Sequence, residues 1–442
     1  MKLNLGASFL AGIILLSAGL VKTLSAQQGI SNLDRDRAES MLRTIRDEVK
    51  KHYYDASYHG IDLDGRYEEY QNRIKEAKSL DAAFTAIAAY LEPLHDSHTY
   101  FLPPSRPARF DYGFRMQMIG DLPYIVEVRP GSDAATKLHP GDQILKLGRF
   151  AVNRKDYSDL NYFIYQLAPQ GGIALDLSDP AGKERHEEVK TKFIVGKRML
   201  DLTLMNGGID IFNIIQQEEA AVHLLRQRQA EQDGTMIWKL PEFDLSDHDV
   251  DQMMDKARKH STLILDLRGN PGGRVPTLER MVGDVMPRDV TISTRVSRKP
   301  EKPQIAKTRG KDAFIGKLIV LVDSGSASAA ELFARTIQLE HRGTVVGDRT
   351  AGAVMESLFY PEHMGQDIEV FYGIAITDAT LIMADGKSLE GEGVTPDVTV
   401  LPTGADLAAG LDPALAKAAE LAGIKLDAAA AGKLFPFEWA PL

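Results

Sequence analysis

Ser328 is the residue of this sequence that is best placed for nucleophilic chemistry. It follows an apolar run at 318–322, which predicts a buried strand, and precedes a stretch at 329–339 whose composition predicts a helix. A side chain at a helix N-terminus meets free N–H groups and the positive end of the helix dipole, which stabilise developing negative charge. An acyl-transfer nucleophile needs this environment. Serine is also a preferred helix N-cap, so the position alone leaves a structural role open.

The composition narrows the classes of function. The chain has 442 residues, enough for two or three domains with separate cores. Its formal net charge is −10, from 62 acidic and 52 basic side chains, and no basic cluster stands out. Nucleic acid is therefore not an expected partner. The absence of cysteine excludes disulfides, a lipid-anchored cysteine and thiolate metal sites.

The N-terminus has the pattern of a secretory signal peptide over residues 1–26. Lys2 precedes an apolar stretch at 5–21, and the small residue Ala26 lies at the predicted cleavage point. The alternative is an uncleaved anchor, because the stretch is only slightly short for a membrane span. We therefore expect an exported protein of a bacterial periplasm or cell envelope. Membrane contact is expected only if the segment stays uncut.

Hydrophobic periodicity divides the remaining chain into four parts. Helical spacing comes first, β patterning second, and alternating strands and helices third. A last helix is predicted from Asp412 and Pro413, a good N-cap and a good first helical residue. The predicted fold class is therefore mixed α/β. The predicted parts are a helical domain at 27–110, a β domain at 111–196, an α/β core at 197–405, and a C-terminal helix and tail at 406–442.

The predicted β domain has proline and glycine at positions that match a known domain family. Residues 128–132 (VRPGS) and 138–148 (LHPGDQILKLG) have these residues where turns need them. The pattern resembles PDZ domains of bacterial proteases, which bind extended peptides, often C-termini, by adding a strand to a sheet edge. The resemblance implies a carboxylate-binding loop at Tyr112, Gly113 and Phe114. The alternative is an ordinary turn with a core phenylalanine.

Four further segments together resemble the tail-specific, or C-terminal processing, protease family. They are DSHT (96–99), LDLRGNPGG (265–273), the Ser328 segment with GDRTAG (347–352), and LEGEGVTPD (389–397). The resemblance implies a core of the ClpP/crotonase type. In the branch of the family with a Ser/Lys dyad, the lysine would lie at the position of Ala353. The chain instead resembles the tricorn-like branch, which uses Ser, His, a second Ser and Glu.

The tricorn-like pattern implies a role for each matching residue. Ser328 matches the nucleophile and His98 the general base, because imidazole titrates near neutral pH and can take and return the serine proton. Glu390, acting through the Ser97 hydroxyl, would orient and polarise the imidazole as the third member of a triad does. Glu392 is the alternative acid, but Glu390 has the better position before the GVTPD run.

Backbone N–H groups are the expected donors to the oxyanion. Ala329, directly after the nucleophile, is one donor, and Gly272 or Gly273 is the second, because glycine lets the main chain approach the substrate closely. The alternative for the GNPGG run is a wide turn after a strand. His95 and His98 have a spacing that could hold a metal on a helix, but no third ligand follows at useful spacing. Neither a metal nor another cofactor is therefore expected.

Two hypotheses of function follow. The first is an exported serine peptidase that hydrolyses polypeptides, with their C-termini as one candidate point of recognition, and with a PDZ-like domain that binds or gates substrate. The second is a non-catalytic ligand- or peptide-binding protein on the same fold, as in retinoid-binding proteins. A binding protein would not need Ser97, His98, Ser328 and Glu390 together, so their co-occurrence favours the peptidase.

Overall fold

The computed structural model describes residues 29–106, 108–195, 228–365 and 369–439. The predicted signal peptide lies outside these residues. None of the helices in the described part of the chain is both long and apolar enough to cross a membrane.

Three helices open the described chain. On the first, Met41, Ile45 and Val49 are buried along one face, at the four-residue spacing that the sequence predicts. Each helix begins after a side chain that accepts a hydrogen bond from a first-turn N–H group, which satisfies one of the free donors there. The helices, with their N-caps, are α1 (Asn32–His52, Ser31), α2 (Leu63–Glu76, Asp62) and α3 (Leu80–Leu91, Ser79).

A short strand, β1 (Tyr100–Leu102), joins this helical part to the rest of the molecule. It pairs antiparallel with β17 (Val370–Met383). Phe101 on β1 is fully buried, and its ring contacts those of Phe84 on α3 and Tyr372 on β17. The sequence patterning predicted helix up to about residue 102. The strand forms because residues 100–102 pair with β17. That partner lies far along the chain, so the local sequence pattern could not predict the strand.

Residues 114–190 form a five-stranded antiparallel sheet, in the order β3-β4-β5-β6-β7. A second strand pair lies beside it, with β2 (Ala108–Asp111) antiparallel to β8 (Lys192–Val195). The β character of this region is as the sequence predicts, and a PDZ-type peptide-binding role stays a prediction. The elements are β3 (Phe114–Ile119), β4 (Leu122–Val128), β5 (Gln143–Leu147), α4 (Tyr157–Tyr162), β6 (Gly172–Ser178) and β7 (Glu184–Lys190).

The α/β core is built on a six-stranded sheet, in the order β18-β15-β14-β11-β10-β9. Every neighbouring pair is parallel except β9 with β10. The inner strands β11 and β14 are almost wholly buried, as expected of parallel strands covered on both faces. The strands are β9 (Arg228–Gln232), β10 (Thr235–Lys239), β11 (Thr262–Asp266), β14 (Lys317–Val322), β15 (Thr344–Gly347) and β18 (Val398–Thr399).

Helices cover both faces of this sheet. On β11, Leu263 and Leu265 face one layer, whereas Ile264 faces the other, because successive strand residues point to opposite faces. The first layer holds α5 (Asp247–Ala257), α6 (Val275–Val285) and α7 (Ala329–Leu339); the second holds α9 (Pro413–Ala422) and α10 (Ala428–Gly432), after the short α8 (Gly404–Ala408).

A second sheet in the core has the order β1-β17-β12-β13, with β16 (Met355–Met364) on β17 as well. The added strands are β12 (Val290–Val296) and β13 (Lys302–Ala306), both antiparallel to their neighbours. Strand β17 is long enough to pair with β1, β12 and β16. It therefore connects the N-terminal helices to the core, next to the DSHT segment.

A buried ion pair joins the end of β11 to α9. Arg268 donates to Asp266 and, at 2.8 Å, to Asp412, the N-cap of α9. Burial would raise the pKa of Asp266, but the charges of Arg268 and Lys239 outweigh it and hold that pKa below its usual value. Asp266 and Arg268 therefore have a structural role, joining the end of β11 to the start of α9.

Candidate active site

Ser328 occupies a sharp turn between β14 and α7. It is the N-cap of α7, with φ 53° and ψ −118°, a conformation that non-glycine residues rarely adopt. Its N–H group donates to Ala353 O (2.9 Å) and to Glu331 Oε2 (3.0 Å), which holds the turn in place. Strained serine backbones of this kind are found at nucleophile sites, where the strain exposes the hydroxyl.

The glycine-rich loop after β11 lies directly against Ser328. A Cβ atom added to Gly272, which has φ +106°, would lie 2.6 Å from Ser328 Cβ. Buried Asn270 fixes the loop: its side chain donates to Leu240 O (2.9 Å) and accepts from Gly272 N–H (2.8 Å). Its carbonyl accepts from Ala327 N–H, one residue before the serine (2.9 Å). The absence of a side chain at 272 is therefore what permits this approach.

This contact predicts the effect of Gly272→Ala. The added methyl group would push the serine or the loop aside, and a shift of about 1 Å at a reacting atom can cost about 10²-fold in rate. We expect kcat/KM for a peptide substrate to fall by about that factor. Gly269→Ala is the matched control, because Gly269 also has positive φ (+71°) but a Cβ atom added there would have nothing within 4 Å. Equal losses in the two variants would contradict the steric argument.

Ser97, His98 and Glu390 form one hydrogen-bonded array. Ser97 Oγ donates to Glu390 Oε2 (3.0 Å) and lies 2.7 Å from His98 Nδ1. Glu390 also accepts from the N–H groups of Ser97 (2.7 Å) and Val354 (2.7 Å). Because an ionised carboxylate can only accept, the single Ser97 hydroxyl hydrogen goes to Glu390, and Ser97 Oγ accepts from His98 Nδ1–H. The Nε2 lone pair of His98 is then free to take a proton.

Asp96 holds the segment that carries this array. Its Oδ1 atom accepts from the N–H groups of His98 (3.0 Å) and Thr99 (2.7 Å), which forms a tight turn. The same oxygen accepts from the hydroxyl of Thr377 on β17 (2.6 Å). The β1–β17 pairing and this contact together fix the position of His98 relative to the core.

Burial sets the electrostatics of the array. It lowers the pKa of His98 below 6.5, although the negative charge of Asp96 opposes the shift. It raises the pKa of Glu390, against the opposing effect of the Val354 and Ser97 hydrogen bonds. His98 is therefore neutral near pH 7, the state that a general base requires.

The structure distinguishes between Glu390 and Glu392, the two candidates for the orienting acid. Glu390 contacts Ser97, whereas the side chain of Glu392 is exposed. Among the described residues, no hydrogen bond joins Ser328 to the His98 ring.

Of the three expected oxyanion donors, Ala329 follows Ser328 in the chain, Gly272 packs against Ser328, and Gly273 follows Gly272. The Gly272 N–H donates to Asn270. Within the described chain, the N–H groups of Ala329 and Gly273 have no hydrogen-bond acceptor. Free N–H groups can bind an anion, and Ala329 N–H also lies at the start of α7.

Tyr112 and Gly113 form the turn between β2 and β3, and Phe114 is the first residue of β3. Both aromatic side chains are buried, and the Tyr112 hydroxyl donates to Ile164 O (3.1 Å). The Gly113 N–H donates to Asp111 Oδ1 (2.9 Å). These contacts are those of a turn with core aromatic residues, and binding of a substrate carboxylate here stays a prediction.

Three residues of the site were not assigned a role in it from the sequence: Asp96, Asn270 and Glu331. The local sequence could have indicated a structural role for two of them. Asp96 precedes a turn, and Glu331 lies three residues after an N-cap serine, which is the capping-box spacing. Asn270 had none beyond its place in the glycine-rich run. In the described ranges, no group of three or more His, Asp or Glu residues could hold a metal ion.

Two family patterns match the chain. The pattern of peptidase family S41 matches residues 236–400, and that of the tricorn protease C1 domain matches residues 34–87. The first match covers Ser328 and the six-stranded sheet except β9 and the first residue of β10, and the second covers most of the N-terminal helices.

Bacterial relatives agree with these matches. The tail-specific protease of Haemophilus influenzae is 25% identical over 313 residues, 66% of this chain and 41% of the relative. The carboxy-terminal-processing protease of Bartonella bacilliformis is 28% identical over 137 residues, 31% of this chain and 30% of the relative. A probable CtpA-like serine protease of Staphylococcus haemolyticus is 20% identical over 405 residues, 88% of this chain and 71% of the relative. The chain thus spans less than half the length of the first two.

The fold is similar to that of a solved structure, mature CPAF complexed with lactacystin. The TM-score is 0.64 at 14% identity, and the match covers 85% of this chain and 96% of that one. At 14% identity, this similarity concerns the fold. Residues 236–400, which include Ser328, thus match peptidase family S41, and the relatives that the chain resembles are named tail-specific and carboxy-terminal-processing proteases.

Proposed function

We propose that this protein is an exported serine peptidase in which Ser328 attacks the peptide carbonyl and His98 is the general base. The observation that carries the proposal is the array of Glu390, Ser97 and His98, which fixes the histidine tautomer with Nε2 free. The strained turn holds the half-buried Ser328 at the N-terminus of α7, which adds the positive potential that acyl transfer needs.

The proposed proton transfers follow from this arrangement. His98 Nε2 takes the proton of Ser328 as Oγ bonds to the carbonyl carbon, and the imidazolium is stabilised by Glu390 through Ser97. The imidazolium then gives the proton to the leaving amine, which leaves an acyl ester on Ser328. A water molecule, deprotonated by His98, hydrolyses that ester and restores the serine.

The proposed oxyanion donors are the N–H groups of Ala329 and Gly273. The Gly272 N–H is engaged with Asn270, so the role of Gly272 is to let the loop approach Ser328. Two free backbone donors, one directly after Ser328 and one in the loop that packs against it, match the requirement for stabilising a tetrahedral intermediate.

Labelling with a fluorophosphonate tests the proposal. The probe forms a covalent bond to a serine only when that serine is activated, and intact-mass analysis counts the adducts. We expect one adduct on the chain from residue 27 to residue 442, mapped to Ser328, together with cleavage of an unfolded protein such as casein. Absence of both would overturn the peptidase proposal and favour the ligand-binding alternative.

Glu390→Gln tests the orienting role of the acid. An amide can donate to Ser97, which would remove the preference for the productive His98 tautomer. We expect kcat/KM to fall by about 10²- to 10³-fold, less than on loss of the nucleophile, because the orienting member of a triad usually costs less. Glu392→Gln, two residues away and exposed, should keep wild-type activity. If both variants kept the wild-type kcat/KM, Glu390 would not be the orienting acid.

We propose polypeptide substrates, with free C-termini as one point of recognition. Relatives are named tail-specific and carboxy-terminal-processing proteases, and the sequence of residues 111–196 resembles PDZ domains, which bind peptides. A cleft of about 520 Å³ lies between that sheet and the carboxyl ends of the core strands, where Arg115 and Gln117 of β3 line it. Export to a bacterial periplasm or cell envelope is proposed from the sequence of residues 1–26.

A further inference from the structure

Residues 350–354, which we name the bridging segment, connect the two halves of the candidate active site. Ala353 O accepts from Ser328 N–H (2.9 Å), on the side of the nucleophile. The next residue, Val354, donates its N–H to Glu390 Oε2 (2.7 Å), on the side of the histidine. The position of this segment therefore sets how Ser328 stands relative to the base.

A single buried carboxylate, that of Glu331, holds the bridging segment against the nucleophile. Its Oε1 atom accepts from the Thr350 hydroxyl (2.5 Å) and Gly352 N–H (2.8 Å). Its Oε2 atom accepts from Ala353 N–H (2.9 Å) and Ser328 N–H (3.0 Å). The side chain is fully buried, and all four partners are uncharged.

Four donors around one carboxyl group match only its ionised form. A carboxylate has about four lone-pair sites and no hydrogen, so it can accept from all four donors. A protonated acid or an amide has a donor group at one of its two positions, and that group would face two of the four donors instead of accepting from them. Leaving buried donors without acceptors is costly, so the segment or the turn would move. A helix cap alone would need one such contact, to the N-cap N–H.

We propose that Glu331 is a positioning residue for the nucleophile: it fixes the Ser328 turn and the bridging segment together, and so aligns Ser328 with the His98 array. The inference deepens the proposed function and rests on it. Glu331 itself does not touch the substrate. It acts through two backbone N–H groups, those of Ser328 and Ala353.

This arrangement has a consequence for pH dependence. Burial raises the pKa of Glu331 to about 7, although its four hydrogen bonds oppose the shift. Among the described residues Glu331 forms no ion pair, and the other titratable groups of the site, His98 and Glu390, lie across the bridging segment. As pH falls, Glu331 is protonated near 7 and His98 at a pH below 6.5. Both protonations lower activity, so the acid limb should approach a slope of two in log rate.

The test compares Glu331→Gln with Glu331→Asp and with Glu340→Gln. Glu340 lies at the other end of α7, where it pairs with Arg288, and serves as the matched control. We expect Glu331→Gln to lower the rate of fluorophosphonate labelling and kcat by about 10²-fold with little change in KM. Its acid limb should have a slope of one. Glu331→Asp, which keeps a carboxylate, should recover part of the rate, and Glu340→Gln should match the wild type.

The outcomes separate this inference from the proposed function. If the wild-type protein is neither labelled by the fluorophosphonate nor able to cleave a peptide, both the proposed function and the positioning role are overturned. If the wild type reacts and folded Glu331→Gln reacts equally fast with an unchanged acid limb, only the positioning role is overturned. If Glu331→Gln does not fold, as judged by thermal unfolding, the comparison is made with Glu331→Asp. The shorter Asp side chain cannot keep all four contacts, so a rate per folded molecule equal to that of the wild type in this variant would overturn the positioning role.

Discussion

Ser328→Ala is expected to abolish peptide hydrolysis and fluorophosphonate labelling. The turn, the free Ala329 N–H and the His98 array would remain, but no atom would be left to form the acyl ester. In other serine peptidases, loss of the nucleophile costs about 10⁶-fold in kcat, and the surviving rate comes from oxyanion stabilisation and binding. We expect a loss of at least about 10⁴-fold here.

Steady-state hydrolysis of a fluorogenic peptide and intact-mass analysis measure this loss. Ser324→Ala is the matched control, because Ser324 belongs to the same loop and its hydroxyl donates to Met118 O on β3. That variant should label fully and cleave at close to the wild-type rate. Wild-type turnover by Ser328→Ala would exclude the proposed nucleophile.

His98→Ala should cost about as much as loss of the nucleophile, since a triad acts as a unit. Without the imidazole, no group within the array can take the Ser328 proton, and the serine hydroxyl is a weak nucleophile at neutral pH. We expect kcat/KM and the labelling rate to fall by at least about 10⁴-fold. His95→Asn is the control: His95 is exposed, and asparagine tolerates its positive φ of 51°.

The pH profile gives an independent check on His98. Its pKa is lowered by burial, so the neutral base is lost only as pH falls through a value below 6.5. In Glu331→Gln, where the second protonation is removed, this ionisation should stand alone on the acid limb. A single ionisation above 6.5 in that variant would mean that another group is the base.

The local sequence pattern was sufficient to predict the strand, turn and helix around Ser328. An apolar run of strand length followed by small residues and a good helix sequence predicts β14, the turn and α7 without any long-range information. Asp412 and Pro413 likewise predict the start of α9, because N-cap and first-turn preferences act within a few residues. Such elements depend on contacts close in sequence.

Long-range pairing could not be predicted in the same way. Strands β16 and β17 form a long hairpin that also receives β1 and β12, and none of these pairings is encoded in a short window. The N-terminal part therefore shares a sheet with the core, although its helical spacing suggested a separate domain. Strand formation at β1 depends on a partner that only the folded chain provides.

The candidate site shows the same division. Residue types and a family resemblance indicated Ser97, His98, Ser328 and Glu390. They could not indicate that the Gly272 N–H is engaged while that of Gly273 is free, because hydrogen-bond partners depend on three-dimensional placement. The four-donor environment of Glu331 was hidden for the same reason, since its partners at 350–353 come from a loop after the next strand.

The contact between Ser97 and Glu390 joins residues that are 293 positions apart. During synthesis, the histidine segment leaves the ribosome early and the glutamate segment near the end. A growing chain therefore carries the proposed base without the proposed orienting acid, and without strand β17, which fixes its position. The order of translation would then keep the hydrolytic chemistry off until the last part of the core has folded, and would protect the unfolded chain from its own active site.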